Sequence, residues 1–361
     1  MTLPDGGPDP SGVSALRRRV VAAVVGDLAR LAGGWSATPP GRPLVLVGCS
    51  GGADSVALAA AAARAVELRG WCWGAVVVDH GLQQGSADAA ARAGHLCADL
   101  GAALVLVRRV EVRPAASAGG PEAAARAARY DAFDEALQAS GALALLLGHT
   151  ADDQAETVLL RLARGSGPRS LAGMPAERGP FRRPLLELPR ADVRAAFPEL
   201  AVWQDPHNED PAYARVRVRR ALPALEQALG PGLAASLARS AVQVRAEVEA
   251  LDRWCDEVWP SVVELRELRG AVAVRLDARQ LAGRPEALVQ RVLARAADLA
   301  GAPRERLTAA HYAPLHAMIR RWRGQGPTQL PGGVVGYRES DTVVLVRRPD
   351  GAEREEFGGP Q

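Results

Sequence analysis

"LVLVGCSGGADSVALAAAAARA", running from Leu44 to Ala65, decides the fold. Four apolar residues, Leu44 to Val47, lead into Gly48-Cys49-Ser50-Gly51-Gly52-Ala53-Asp54-Ser55, and an alanine-rich stretch follows. The pattern predicts a strand, a tight glycine turn and a helix. Gly51 and Gly52 permit positive φ and a close approach of backbone to ligand. The start of the following helix offers unpaired N–H groups and a positive dipole end, a ready anion site. Ser50 and Ser55 add hydroxyls. Asp54 is the odd member, because a carboxylate repels phosphate. It makes sense if it binds Mg²⁺, which then bridges to phosphate oxygens. The plainer reading of the same residues is a glycine turn with Asp54 as a helix cap.

The loop lacks the lysine that a phosphate-binding loop usually carries, and so does the whole chain: all 44 basic residues are arginine. A GC-rich coding bias is the plainest cause. The chemical consequence is that a Walker A lysine, a Schiff-base lysine and a lysine general base are excluded. Phosphate charge must be met by arginine, backbone N–H groups, helix dipoles or a metal. A net charge of +3 and a pI near 8.9 are only mildly basic and do not by themselves argue for nucleic acid. At 361 residues, two or three domains are expected. No apolar run of about 20 residues occurs, so no membrane span is expected. The opening "MTLPDGGPDPSG", residues 1–12, lacks the basic and apolar regions of a signal peptide and reads as a disordered lead-in. Cys49, Cys72, Cys97 and Cys255 stand apart with no C-x-x-C pair. Neither a disulfide framework nor a zinc site is predicted, and a reducing cytoplasm is the expected home. Cys49 reads as a small buried hydrophobe.

Outward from the loop, strands and helices alternate. Residues 13–33 predict an amphipathic helix. Strands are predicted at Leu44–Val47, Trp73–Val78, Ala103–Val107 and Ala142–Leu147, with helices at Ser55–Leu68, Ala87–Leu100, Glu122–Ala139 and Ala151–Arg164. Near-continuous apolar strands separated by helices indicate a parallel sheet covered on both faces. Ligands of such sheets bind at the carboxyl ends of the strands. Three polar clusters fall there: Ser50–Ser55, Asp79-His80-Gly81 and Gly148–Glu156. Beyond about residue 185 helical stretches dominate, over 190–253, 284–300 and 308–323. "AVAVRLD" at 271–277 reads as a further strand, and "GGVVGYRESDTVVLVRR" as a β-hairpin with a Glu-Ser-Asp turn.

On the helix after Gly148-His149, Asp152 and Glu156 share a face and Asp153 lies beside it. Pooled carboxylates beside a phosphate loop suit Mg²⁺ or an ammonium group. The plain alternative is a set of ordinary helix-start acids favoured by the dipole. His80 and His149 sit just past strand ends, placed to hydrogen-bond phosphate, to act as acid or base near neutral pH, or to fix loop carbonyls. Arg126, Arg129 and Tyr130 recur at one-turn spacing, facing either a ligand or solvent. In the run Arg215, Arg217, Arg219, Arg220, the first three share a face if the segment is extended. If it is helical, Arg215 and Arg219 do. Either suits backbone phosphates. Trp203, Trp254, Trp259 and Trp322 are candidate stacking platforms, with core packing the expected role of each.

The S-G-G-x-D-S loop after a strand resembles the pyrophosphate loop of the N-type ATP pyrophosphatases, a superfamily that cleaves ATP between the α- and β-phosphates and adenylates a substrate oxygen. Five ordered stretches narrow the resemblance: "VVVDHGLQ" (Val76–Gln83), "PEAAARAARYDAF" (Pro121–Phe133), "LLLGHTADDQAETVLLRLARGSGPRSLAGM" (Leu145–Met174), "RPLLELPRADV" (Arg183–Val193) and "WQDPHNEDPAYARVRVRRALPAL" (Trp203–Leu225). Together they are similar to the tRNA(Ile)-lysidine synthases, which attach lysine to C2 of the wobble cytidine in the CAU anticodon of tRNA(Ile), so that it reads AUA.

The resemblance implies an α/β fold: a doubly wound parallel sheet of the adenine nucleotide α hydrolase-like type, then a mainly helical domain with a small C-terminal β-hairpin. It implies a catalytic domain over 13–230, a helical tRNA-binding domain over 231–350 and a frayed tail over 351–361. Implied for ATP are Ser50, Gly51, Gly52, Ala53, Asp54, Ser55, Asp79 and His80. Implied as catalytic are Asp54, His149, Asp152, Asp153 and Glu156. Within that set Glu156 and Asp152 would meet lysine, and Asp54 and Asp153 a Mg²⁺ ion. Arg126, Arg129, Arg215, Arg217 and Arg219 would meet tRNA. The partners are then ATP, free L-lysine and tRNA(Ile); a homodimer is one assembly the sequence allows. Val216 stands where the family usually has Asn, while Asp205 and Asn208 keep a D-x-x-N piece. Two rivals remain. A tRNA thiolase of the same superfamily would want paired sulfur-handling cysteines. A non-catalytic nucleotide-binding module would have no need of the Gly148–Thr157 acids.

Overall fold

The apolar runs become the middle of a parallel sheet in the computed structural model, which describes residues 12–34, 41–81, 85–111, 120–165, 167–203, 210–268 and 270–348. The expectations for the lead-in, the tail from 351 onward, Asp205 and Asn208 lie outside these residues. The chain divides into two units, Met1–Arg245 and Ala246–Gln361.

The first unit runs α1 (Val13–Gly33), β1 (Leu44–Gly48), α2 (Ala53–Arg69), β2 (Cys72–Asp79), α3 (Ser86–Asp99), β3 (Leu104–Arg109), α4 (Gly120–Ser140), β4 (Leu145–Leu147) and α5 (Ala151–Leu162). It continues with α6 (Pro168–Leu171), β5 (Glu177–Arg178), β6 (Phe181–Arg182), α7 (Arg190–Ala195), α8 (Ala214–Leu229) and the start of α9 (Leu233–Val262). The sheet order is β3-β2-β1-β4-β6-β5, parallel except for the β5–β6 pair. Val45, Val47, Ala75 and Val77 face a core with α1, α2 and α3; Leu46, Val76, Leu145 and Leu147 face Phe133, Ala136 and Leu137 of α4. Both faces are covered, which is why the strands read as unbroken apolar runs rather than alternating ones. The alanines of α2 are buried because the helix lies between the sheet and α1, where larger side chains would not fit. A buried ion pair ties the sheet's far edge to α1: Arg182 Nε donates to Asp27 Oδ2 at 2.7 Å, and Asp27 has no exposed surface. Removing either partner strands a buried charge, at about 3–5 kcal/mol.

From β1 the chain winds outward to β2 and β3, then crosses to β4 on the other side of β1. The crevice beyond the carboxyl ends of β1 and β4 is the topological switch point where such sheets bind ligands. The strand expected over Ala142–Leu147 pairs only over its last three residues, although Leu143 N–H still bonds Leu44 O at 2.9 Å.

The second unit holds the end of α9, then β7 (Val263–Leu268), β8 (Ala271–Asp277), α10 (Ala278–Ala282), α11 (Glu286–Leu299), α12 (Ala309–Arg320), β9 (Thr328–Leu330), β10 (Val334–Glu339) and β11 (Thr342–Arg347). The expected hairpin is β10–β11, closed by Ser340 and Asp341, and the expected strand at 271–277 is β8. They are three strands of a five-stranded antiparallel sheet ordered β7-β8-β11-β10-β9. One face packs on the core of α10, α11 and α12. The expected junction at 230/231 falls between α8 and α9, whereas the division of the chain falls within α9. Among the described residues no helix is long and apolar enough to cross a membrane.

Candidate active site

The glycine turn closes on itself through one hydroxyl. Ser55 Oγ accepts from Ser50 N–H at 3.1 Å, donates to Gly52 O at 2.8 Å and lies 3.2 Å from Ser50 Oγ. Gly51 has φ +80 and is buried, and a Cβ there would meet Ala93 of α3 at 3.3 Å. Glycine therefore satisfies both the backbone and the space. Gly52 caps α2, so the N–H groups of Ala53 and Asp54 point out of the helix start without helical partners. From the far side Trp203 N–H donates to Gly51 O at 2.8 Å. This backbone brace had no signal in the sequence, where Trp203 read as a ring to stack or pack.

The acids of α5 come directly against this turn. A Cβ on Gly148 would lie 2.9 Å from Asp54 O and 3.2 Å from Ser55 Cα, so only glycine lets the β4–α5 corner touch the start of α2. Thr150 and Asp153 form a capping box: Asp153 Oδ2 accepts from Thr150 N–H at 2.8 Å and from its hydroxyl at 2.9 Å. Burial alone would raise Asp153, but Arg190, His149 and the two Thr150 bonds outweigh it and hold the carboxyl below the usual range.

Arginines knit the acids together. Arg190, at the start of α7, reaches Asp153 Oδ1 at 2.8 Å, Glu156 Oε1 at 3.0 Å and Asp54 Oδ2 at 3.7 Å. Its backbone N–H donates to Asp152 Oδ2 at 2.7 Å. Arg194, one turn on, grips Asp54 with two bonds of 2.8 and 3.1 Å. Glu156 has no exposed surface and also accepts from Arg219 Nε at 2.8 Å. The structure thus gathers Asp54, Asp152, Asp153 and Glu156 around Arg190, and the sequence singled out neither Arg190 nor Arg194. Arg190 lies in "RPLLELPRADV" and Arg194 directly follows it, but their partners are remote in the chain.

The segment around Arg215 is helical, so Arg215 and Arg219 face α5 together and Arg217 does not. Arg215 Nη2 lies 3.5 Å from Thr157 Oγ1, and Arg217 donates to Pro211 O and Ala212 O at 2.7 and 2.8 Å. Val216 is buried beside them, an apolar use of the position. Arg126 donates to Tyr130 OH at 3.2 Å and lies 4.9 Å over its ring. Arg129 reaches His80 Nε2 at 3.2 Å, linking α4 to the end of β2. Asp79 is buried and caps Gly81 N–H at 2.9 Å. Burial would raise its carboxyl, yet the bonds from Gly81 and Ser86, with Arg109, hold it low.

His149 Nδ1 is buried and makes no hydrogen bond. Burial pushes its pKa down to about 3, helped by Arg183, Arg126 and Arg215 and opposed by Asp153. The ring is neutral at pH 7, which leaves it as a hydrogen-bonding group rather than an acid or base near neutrality. Among the described residues no three His, Cys, Asp or Glu side chains gather as a metal cage.

A family model described as a PP-loop domain matches residues 35–225. The tRNA(Ile)-lysidine synthase of Thermobifida fusca is 48% identical over 309 residues, covering 85% of this chain and 92% of that protein. That of Leifsonia xyli is 52% identical over 305 residues, covering 81% and 89%. Among solved structures, the U34-tRNA thiolase NcsA from Methanococcus maripaludis matches with a TM-score of 0.51 at 18% identity, covering 64% of this chain and 80% of that one, a likeness of fold alone.

Proposed function

The chain belongs to the tRNA(Ile)-lysidine synthase family, and we propose that it uses ATP to join lysine to C2 of the wobble cytidine of tRNA(Ile), changing the codon read from AUG to AUA. The observation that carries this reading is the contact of two chemistries at Gly148: a phosphate loop on one side and a pool of carboxylates on the other. One prepares a leaving group on the base; the other suits an incoming amine.

In the first step the cytidine C2 oxygen attacks the α-phosphate and pyrophosphate leaves. Ser50, Ser55 and the N–H groups from Gly51 to Asp54 hold the β- and γ-phosphates and leave the α-phosphate open. In the second step the lysine ε-amine attacks C2, AMP departs with the former C2 oxygen, and the amine loses a proton. Glu156 and Asp152 select lysine by its ammonium charge, which displaces the Arg190 and Arg219 guanidinium groups from Glu156. Catalysis by this site is positioning and electrostatics. His149 serves as a neutral hydrogen-bonding group, and Asp79 and His80 shape the nucleotide side of the crevice.

Mg²⁺ fits this site through one protein ligand. Asp54 is at the rim, and its partner Arg194 is 49% exposed, so that pair opens at small cost. Asp153 has both oxygens engaged by Thr150 and Arg190, so the metal role narrows to Asp54. Bound there and to the phosphates, the ion would neutralise the charge of the leaving pyrophosphate. Arg126, Arg129, Arg215, Arg217 and Arg219 meet RNA phosphates, and residues 231–350 supply further tRNA contacts through arginines such as Arg320, Arg321 and Arg323. tRNA, ATP and free lysine share the cytoplasm, which is where the reaction belongs. A test is direct: purified chain, ATP, labelled lysine and unmodified tRNA(Ile) with a CAU anticodon. ATP-dependent label in the RNA is expected; a folded protein that leaves the RNA unlabelled would sink the proposal.

A further inference from the structure

Trp322 does not take the core position expected of it. It follows the end of α12 at 38% exposure, and the Arg338 guanidinium of β10 lies over its ring, 5.4 Å from the centre. Arg338 is itself held in place. Its side chain is 10% exposed, pairs with Asp341 at 3.6 Å, and donates to Ser340 O at 2.7 Å and to Met318 O of α12. The ring thus has a fixed backing from the β10–β11 hairpin while part of it stays in water. One side chain closes the turn that carries it. Gln325 Oε1 accepts from Arg323 N–H at 2.8 Å, and Gln325 Nε2 donates to Arg321 O at 2.8 Å. Gly324 turns the chain at φ +80. Arg321 and Arg323 flank Trp322 and are exposed, and among the described residues neither has a carboxylate partner. The chain from 306 to 338 carries charge of one sign: it has no acidic residue, but has Arg306, Arg320, Arg321, Arg323 and Arg338.

We propose that Trp322 is a stacking platform for one unpaired base of the tRNA, with Arg321 and Arg323 on the phosphates beside it. Single-stranded RNA is held by two things together, an aromatic face for the base and cations for the backbone. The turn at 321–325 supplies both within three consecutive residues. Arg338 fixes the ring from behind, so little side-chain freedom is left to lose when a base settles on it. Stacking asks only for a π-face, so the platform selects a base that is unpaired rather than a particular sequence. A base inside a duplex offers its edges and not its face, so it is refused. A protein partner would want an apolar surround at its tryptophan anchor. Here the neighbours in the turn are arginine, glycine and glutamine, which favours RNA. The platform rests on the reading of tRNA as substrate and adds a contact in the second unit, apart from the glycine loop and the acid pool.

The test uses the full chain and unmodified tRNA(Ile) with a CAU anticodon, and reads affinity across a salt series. Trp322→Leu should weaken binding by roughly fivefold or more, and Trp322→Phe, which keeps a ring, should recover most of it. Trp322→Leu should leave the slope of log affinity against log salt as it was, because stacking releases no counterions. Arg323→Ala should lower that slope by about 1. All three variants should bind labelled ATP as the parent does. Ultraviolet crosslinking of the parent to the tRNA should join the peptide holding Trp322 to an unpaired nucleotide. That crosslink decides the matter on the parent chain even where Trp322→Leu fails to fold. A folded Trp322→Leu that binds tRNA as the parent does overturns the platform alone. So does a Trp322→Phe no better than Trp322→Leu, or a crosslink to a base-paired nucleotide. A parent chain that binds ATP but not tRNA overturns the tRNA reading and the platform together.

Discussion

Glu156 has no exposed surface, yet it answers two arginines, Arg190 at 3.0 Å and Arg219 at 2.8 Å. A carboxylate so placed is costly unless paired, and the pairing makes it a cation-binding position that a lysine ammonium can enter by exchange. Glu156→Gln keeps the volume and removes the charge. Its lysine KM should rise by roughly tenfold or more with the ATP KM nearly unchanged, and the fold should lose about 1–3 kcal/mol. An equal rise in both KM values would remove Glu156 from lysine selection. His149 gives a second outcome. Its folded pKa, about 3, lies below the ordinary 6.5. The unfolded chain therefore binds a proton that the folded chain refuses as pH falls below about 6.5, and stability drops with acidity by at most ~1.4 kcal/mol per pH unit. Denaturant melts of the parent and His149→Gln between pH 6.5 and 5 should show a shallower fall for the variant. Parallel curves would contradict the buried, neutral ring.

At the scale of elements, the site depends on how closely the β4–α5 corner approaches α2. Gly148→Ala places a methyl group 2.9 Å from a backbone oxygen that cannot swing aside. The corner must shift, at about 1–3 kcal/mol, and ligation should fall by more than the loss of folded protein explains. A variant as active as the parent would show that the two clusters need not touch. These elements were legible because their signals are local: the loop in six residues, the strands in their apolar runs, the α5 acids in helical spacing. Arg194 to Asp54 and Arg219 to Glu156 were not, since the partners lie 140 and 63 residues apart and nothing near either arginine names its carboxylate. Arg219 read only as a phosphate ligand, whereas in this structure it is bonded to an acid. β7 escaped because "VELREL" is exposed along most of its length and lacks the burial pattern of a half-covered strand. β9, with three residues, is too short to carry a pattern.

For the whole molecule, a charge of +3 spread over 361 residues means RNA affinity comes from where the arginines stand, not from the bulk field. Arg217 is bonded only to local carbonyls of its own loop, among the bonds described for it, so its charge is available to a phosphate. Arg217→Ala should reduce the slope of log tRNA affinity against log salt by about 1 while leaving lysine-independent ATP binding as it was; an unchanged slope would take Arg217 off the RNA. The composition showed that arginine must do all cationic work but not the two-unit division within α9, because a continuous helix hides a boundary that turns and prolines would have marked. The central claim is a two-step order: adenylation of the base at the glycine loop, then displacement by lysine at the acid pool. It is tested most directly by incubating the chain with tRNA(Ile) and α-phosphate-labelled ATP in the absence of lysine. The account predicts label on the wobble cytidine, released as AMP when lysine is added; RNA that takes up no α-label without lysine would contradict it.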